Sequence, residues 1–216
     1  LHKAIRRQRQ MCIRDRPYAT RAFRSAFHYD GPVIEKGYPR NDLFYANDAE
    51  QVRQRVRKRL QINPNKKVIL YAPTFRDYEK SHGRFVLDNQ LDFDEFERQL
   101  GNDYVLLIRE HVVVASKLKI PQTMRHNIIN VSNYPSVQEL MVASDALITD
   151  YSSIMFDYLN TNKPIYFFCY DLEKYLELRG VYFDFTKEIP GPIVKDATTL
   201  FLSLIHISEP TRHSLI

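Results

Sequence analysis

Hydroxyl and carboxyl side chains interrupt an apolar run in the second half of the sequence, at TDYSS, residues 149–153. The run before it, ALI, is typical of a buried strand, and IMFDYLN after it has helical spacing. A serine hydroxyl at such a junction commonly caps the first N–H groups of the helix, and those same N–H groups attract anions such as phosphate. The stretch therefore predicts a helix cap, an anion site, or both.

Similar polar groups follow other strand-like runs. They are Thr74 and Arg76 after residues 68–72, Arg109 and His111 after 104–108, Tyr134 and Ser136 after 127–132, and Asp150, Ser152 and Ser153 after 146–149. The carboxyl ends of parallel strands share one sheet edge, where such folds bind ligands. Arginine matches phosphate oxygens in a bidentate way, and Glu139 in the next helix is placed to accept from ribose hydroxyls. The set predicts a polar pocket suited to a nucleotide diphosphate.

Each of these groups also has a structural interpretation. Ser152 or Ser153 can be a plain N-cap, which is a frequent role for serine. Asp150 can form a hydrogen bond within its own turn. Arg109 and Glu110 can form a surface ion pair that contributes little to stability. These alternatives stay open at the level of sequence.

The elements that must position the site alternate between apolar strands and helices. Predicted strands cover residues 68–72, 104–110, 127–132, 146–149 and 164–170, and predicted helices cover 48–62, 93–100, 136–144, 152–160 and 172–178. Strands without polar alternation indicate a parallel sheet covered on both faces, and thus an α/β fold. Asp48 and Gln51 have the spacing of a capping box, and residues 188–196 are predicted to be a loop closing the domain.

The two ends of the chain are predicted to be foreign to this fold. Residues 6–16 can be encoded by a DNA segment that resembles a transposase adapter of sequencing libraries. Residues 202–212 can be encoded by a segment that begins with the reverse complement of part of that adapter. We therefore interpret residues 1–16 and 202–216 as translated adapter, and residues 17–201 as one native domain. Within that domain the charges balance, at 24 basic and 24 acidic residues instead of 31 and 26. The apparent basicity then gives no support for nucleic-acid binding.

Several function classes lack their sequence signals. There is no glycine-rich phosphate loop, which argues against a dehydrogenase or a P-loop enzyme. The Asp92–Asp94 pair opens an amphipathic helix, where acidic residues favour the N-terminus without a metal. Cys169 is left as the sole native cysteine, in an apolar context typical of a buried reduced thiol. No apolar run reaches the length of a membrane span.

Five motifs together resemble the C-terminal half of the CDP-glycerol glycerophosphotransferase family, the teichoic acid primases and polymerases. They are GYPRND (37–42), ILYAPTFRD (69–77), Arg109-x-His111, SDALITDYSSIMFDYLNTNKPIYFFCYD (144–171) and RGVYFDF with IPGPIV (179–194). The resemblance covers nearly all of residues 31–194, and the TDYSS block followed by Lys163-Pro164 is its most specific part.

The resemblance implies a GT-B-type glycosyltransferase fold, of which this chain is the Rossmann-like, donor-binding half. It implies transfer of glycerol phosphate, or in some members ribitol phosphate, from a CDP-alditol to a lipid-linked acceptor at the inner membrane face. His111 is similar to a family histidine that assists the leaving phosphate, while Asp150, Ser152 and Ser153 would hold the donor. It implies no metal and no cofactor, and a peripheral, cytoplasmic enzyme whose membrane association comes from other parts of the protein.

This sequence departs from the family pattern at two places. Val112 follows His111, where the family usually has proline, and a second histidine expected as the general base has no counterpart here. We therefore expect the chain alone to bind a CDP-alditol weakly and to catalyse nothing. The alternatives are a glycosyltransferase of the same fold that uses a nucleotide sugar for surface polysaccharide, and a non-catalytic domain that binds a protein partner.

The adapter interpretation predicts a specific result at the level of DNA. Resequencing the source from an independently prepared genomic clone should give different residues outside 17–201. Finding the same two ends in that clone would contradict it.

Overall fold

The computed structural model describes residues 17–33, 35, 37–76, 80–81, 84–85, 91–110, 118–181 and 183–205. The chain divides into two compact units, residues 1–46 and 47–216. The first contains helix α1 (Pro17–Phe27) and a 3-10 helix at Pro39–Tyr45. Its small apolar cluster pairs Phe23 with Tyr29, whose rings meet edge to face at 5.6 Å.

The second unit is built on a six-stranded parallel sheet. Its strands are β1 (Lys67–Tyr71), β4 (Tyr104–Ile108), β5 (Ile128–Asn130), β6 (Ala146–Thr149), β7 (Ile165–Phe168) and β8 (Ile193–Val194), in the order β5-β4-β1-β6-β7-β8. All five pairings are parallel. A separate antiparallel pair joins β2 (Lys80–Ser81) to β3 (Arg84–Phe85). The predicted α/β, Rossmann-like fold is confirmed.

Helices precede, connect and follow the strands of this sheet along the chain. They are α2 (Ala49–Arg59), α3 (Phe93–Leu100), α4 (Val137–Ala143), α5 (Ile154–Tyr158), α6 (Leu172–Leu178), α7 (Phe185–Glu188) and α8 (Ala197–Ile205), with short 3-10 helices at Gln122–Met124 and Leu159–Thr161. None of the helices in the described ranges is long and apolar enough to cross a membrane.

The strands form where the sequence is continuously apolar, because both faces of the sheet are covered. Every residue of β4, β6 and β7 is buried. Helix α3 places Phe96 and Leu100 against one face, and Phe96 meets Phe201 of α8 edge to face at 5.9 Å. Asp92 starts α3 by accepting a hydrogen bond from the Glu95 amide at 3.0 Å, as an N-cap should.

Several predicted bounds hold without change, and others need correction. Strand β6 and helices α3 and α6 have the predicted limits. Asp48 occupies the N-cap position of α2, but its side chain accepts no capping hydrogen bond, so the predicted capping box is wrong. The predicted helix at 152–160 is shorter, because α5 ends at Tyr158 and a 3-10 turn follows.

The segment predicted to be a closing loop contributes a sixth strand. Residues 188–196 contain β8, which pairs with β7, and the Phe167 amide donates to the Pro192 carbonyl at 2.9 Å. The prediction of a loop was therefore wrong. Two strand residues beside proline and glycine are too few to show the periodicity that would indicate a strand.

Three cations hold the end of helix α4 against the amino end of the sheet. Arg53 and Arg57 contact the two carboxylate oxygens of Asp145 at 2.5 and 2.6 Å, and that carboxylate also accepts the Val68 amide at 2.7 Å. Lys163 donates to three carbonyls at the end of α4, the shortest contact being 2.5 Å to Ser144. Cations are favourable at a helix C-terminus, where free carbonyls concentrate negative charge. Asp145 therefore joins α2, α4 and β1.

We predict that Asp145→Asn lowers the free energy of unfolding by about 2 kcal/mol, the value of hydrogen bonds to a charged group. Urea denaturation at pH 7 measures this. Burial opposes ionisation of Asp145, yet its bonds with Arg53 and Val68 lower its pKa. A lowered carboxyl pKa stabilises the fold above the unfolded-state value, so the difference between the two proteins should narrow only below about pH 4.

Glu95→Gln is the control, because the Glu95–Arg98 pair lies within one turn of α3 with Arg98 mostly exposed. Such a pair contributes at most about 0.5 kcal/mol. Equal losses in both variants would contradict the structural role of Asp145.

Candidate functional site

A cavity of about 610 Å³ opens at the carboxyl ends of the central strands. Its polar lining comes from the segments after four strands: Thr74 after β1, Arg109 and Glu110 after β4, Ser132 after β5, and Ser152 and Ser153 after β6. This is the sheet edge where parallel α/β folds bind ligands. We refer to it below as the edge pocket.

The structure brings four of the predicted site residues to the edge pocket: Thr74, Arg109, Ser152 and Ser153. Arg76 and Asp150 are instead buried, at 6% and 1% exposed. His111 lies outside the described residues. The remaining three, Tyr134, Ser136 and Glu139, form a separate group at the start of α4.

The Asp150 carboxylate ties the segment after β1 to the end of β6. Its Oδ1 accepts from the Thr74 amide at 2.8 Å and from Thr74 Oγ1 at 2.7 Å. Its Oδ2 contacts Arg76 Nη1 at 2.6 Å. These partners occupy both carboxylate oxygens, so Asp150 supports Thr74 from within the fold.

Arg76 links Asp150 to a second buried carboxylate. Its Nε and Nη2 contact Asp171 at 2.8 and 3.1 Å, and Tyr151 donates to the same carboxylate at 3.0 Å. Burial alone would lower the pKa of Arg76, but Asp150 and Asp171 raise it above its ordinary value. The guanidinium therefore stays charged and holds three chain segments together.

Aromatic rings surround this ion-pair network. Tyr151 stacks on Tyr175 with 3.7 Å between ring centroids. The guanidinium carbon of Arg76 lies 5.1 Å from the centre of the Tyr151 ring and 5.5 Å from those of Tyr170 and Tyr175. Such contacts favour a cation once it leaves water.

Ser152 and Ser153 precede α5 but do not cap it well. Ser153 is at the N-cap position and makes no side-chain cap bond. Ser152 Oγ accepts from the Ile154 amide at the long distance of 3.4 Å. The cap interpretation is thus wrong for Ser153 and weak for Ser152, and both hydroxyls lie at the pocket wall.

Arg109 is part of the pocket wall and does not form a surface ion pair. Its Nη1 donates to the carbonyls of Tyr134 at 2.8 Å and Val131 at 3.2 Å. Burial lowers its pKa from the ordinary value, although an arginine remains charged at neutral pH. No ion pair within 4.0 Å joins Arg109 to Glu110, which excludes the surface-pair interpretation.

The group at the start of α4 is held by its own contacts. Ser136 caps the helix by accepting the Glu139 amide at 3.2 Å. The Glu139 carboxylate accepts from Tyr134 at 2.7 Å and pairs with Arg55 at 3.0 Å. None of these three side chains is among those that line the edge pocket.

Glu110 and Ser132 line the pocket and were not predicted as site residues. Ser132 Oγ accepts the Glu110 amide at 3.0 Å. Burial, and then the nearby charge of Asp150, raise the pKa of Glu110 to about 7. The position of Glu110 between Arg109 and His111 could have marked it as a site residue. Adjacent residues of opposite charge, such as Arg109 and Glu110, normally indicate solvent exposure instead.

Other reactive groups in the described ranges have structural roles. Cys169 is free and buried, as predicted, and burial followed by the charge of Asp150 raises the pKa of its thiol to about 12. No cluster of three or more metal-ligating side chains occurs within the ranges that the structure describes. What the edge pocket offers is a guanidinium, hydroxyls and a carboxyl, which suit an anionic, hydroxylated ligand.

The fold and this site define the class of an α/β protein with a polar pocket at the carboxyl edge of a parallel sheet, where such folds bind ligands. The sequence matches the model of the CDP-glycerol:poly(glycerophosphate) glycerophosphotransferase family over residues 3–215. The chain belongs to this family.

Named relatives agree with the family. The chain is 41% identical to the teichoic acid poly(glycerol phosphate) polymerase of Bacillus subtilis (strain 168), covering 89% of this chain and 26% of the relative. It is 41% identical to the teichoic acid glycerol-phosphate transferase of Staphylococcus aureus (strain NCTC 8325 / PS 47). This match covers 89% of this chain and 50% of the relative. A variant of the wall teichoic acid polymerase TagF soaked with CDPG is similar in structure, with a TM-score of 0.81, 41% identity and coverage of 89% and 47%. The chain thus spans half or less of these relatives.

We predict that Asp150→Asn lowers the free energy of unfolding by about 3 kcal/mol, because it leaves the buried Arg76 charge poorly compensated. Chemical denaturation followed by circular dichroism measures the change. Asp184→Asn is the matched control, since Asp184 is partly exposed and pairs with Lys187, and it should cost less than about 1 kcal/mol. A loss in Asp150→Asn no larger than in the control would contradict the network.

Proposed function

We propose that this chain is the donor-binding part of a transferase that moves glycerol phosphate, or ribitol phosphate, from a CDP-alditol to a lipid-linked teichoic acid acceptor. The observation that carries the proposal is the edge pocket, which combines Arg109 with the hydroxyls of Ser152 and Ser153 in a member of this family. The soak of a related polymerase with CDPG supports the same ligand class.

The residues divide into ligand contacts and supports. Arg109 would neutralise charge on the pyrophosphate, and Ser152 and Ser153 would donate to its oxygens or to the alditol. Asp150 would act through Thr74, whose amide and hydroxyl it positions, and Arg76 through its bonds to Asp150 and to the Thr74 carbonyl. Phosphoryl transfer depends on such positioning and charge stabilisation more than on covalent chemistry.

His111 carries the leaving-group role in this proposal. Breaking the pyrophosphate bond releases CMP, whose developing negative charge a protonated histidine stabilises. His111 directly follows the pocket residue Glu110 in the chain. The acceptor hydroxyl still needs a base, which the part of the relatives that this chain does not cover would supply. We propose no metal and no cofactor for this half.

The acceptor and the cellular setting belong to the same proposal. A lipid-linked glycerol phosphate acceptor requires the enzyme to work at a membrane surface. We propose a cytoplasmic enzyme on the inner face of the membrane, attached through parts of the protein beyond the edge pocket.

Isothermal titration calorimetry with CDP-glycerol, CDP-ribitol, CMP and a UDP-sugar tests the ligand class. We expect the cytidine nucleotides to bind and the UDP-sugar not to bind. Ser152→Ala and Arg109→Gln should each weaken CDP-glycerol binding, Arg109→Gln by about tenfold or more, which is the worth of one charge-assisted hydrogen bond.

Thr198→Ala and Arg98→Gln are the matched controls, because both residues lie on exposed helix surfaces. They should leave affinity unchanged. Binding of the UDP-sugar alone would favour a nucleotide-sugar glycosyltransferase, and CMP affinity unaffected by either pocket variant would favour a non-catalytic domain.

A further inference from the structure

Glu110 lines the edge pocket with a carboxyl group that receives no hydrogen bond from any residue the structure describes. Its backbone amide is fixed by Ser132. Arg109, the adjacent cation, points its Nη1 at the carbonyls of Val131 and Tyr134 instead. Glu110 is half-buried and contributes to the lining of the open cavity, so a ligand in the pocket can reach it. A bound ligand can supply the partner that Glu110 lacks.

The charges around Glu110 do not favour an ionised carboxylate. The negative charge of Asp150, at the end of β6, acts on Glu110, and Glu110 in turn interacts electrostatically with Tyr71 of β1. Arg76 also acts on it, but that guanidinium is shared between Asp150 and Asp171. Burial and Asp150 raise the pKa of Glu110 to about 7. Near neutral pH much of Glu110 is therefore a neutral acid, which can donate a hydrogen bond as well as accept one.

We propose that Glu110 is a specificity-determining residue of the edge pocket, whose neutral carboxyl donates a hydrogen bond to a pyrophosphate oxygen of the bound nucleotide. This inference rests on the proposed donor class. An ionised Glu110 would repel the same oxygen. A ligand hydroxyl could pair with either form of the carboxyl and would give no reason to keep the proton.

Donor binding then becomes linked to one proton. The proton stays on Glu110 while it is shared with the phosphate oxygen, so binding above neutral pH takes up a proton from solvent. The pyrophosphate of CDP-glycerol is fully ionised between pH 6 and 8, and the ligand itself adds no titration in that range. As the pH rises from 6 to 8, the requirement for a neutral Glu110 therefore reduces the affinity for CDP-glycerol about tenfold.

The test compares CDP-glycerol affinity of the wild-type chain and Glu110→Gln at pH 6, 7 and 8 by calorimetry. Glutamine is a neutral hydrogen-bonding isostere that cannot lose a proton in this range. The ratio of the two affinities removes the titration of other groups, His111 included. We expect this ratio to shift about tenfold in favour of Glu110→Gln from pH 6 to pH 8. Glu173→Gln, at an exposed pair with Lys195, should follow the wild type.

A second measurement does not depend on a variant. Titrations at pH 7.5 in two buffers of different ionisation enthalpy should show net proton uptake by the wild-type chain on binding. Binding without uptake, together with a pH-independent affinity ratio, would overturn the role of Glu110 and leave the proposed function standing. A complete lack of CDP-glycerol binding at every pH would overturn both.

Discussion

The ion-pair network of Arg76 with Asp150 and Asp171 is the interaction on which the edge pocket depends. It joins the segment after β1 to the end of β6 and the start of α6. Two carboxylates share one guanidinium, and ring faces cover it, so each buried charge has an oppositely charged partner while the network keeps a net negative charge. Thr74, at the pocket wall, takes its position from the same Asp150 carboxylate.

The network also explains the electrostatic character of the pocket. Asp150 is buried and bonded to the pocket residue Thr74, and Arg76 cannot fully cancel its negative charge, since Arg76 also pairs with Asp171. The pKa of Glu110 is raised by burial and then by Asp150. A group that stabilises the fold thus adds to the pKa shift of a group in the pocket wall.

Much of the fold follows from the sequence pattern, because continuously apolar runs such as ALIT and YVLLI have few other solutions than a buried parallel strand. The edge where the site lies follows as well, from the rule on parallel strands. Strand β8 was missed, since its two residues show no periodicity. Which polar groups turn inward was also beyond the sequence. Arg76 and Asp150 look like ligand groups there, and only their mutual contacts show that they support the wall.

The most direct test of the account is where CDP-glycerol binds on the chain. Chemical-shift mapping on the isotopically labelled protein should show changes at the backbone amides of Thr74, Glu110, Ser132 and Ser152, which line the edge pocket. Shifts confined to the smaller apolar cavity near Leu118 and Ile128, or no shifts at saturating ligand, would contradict it.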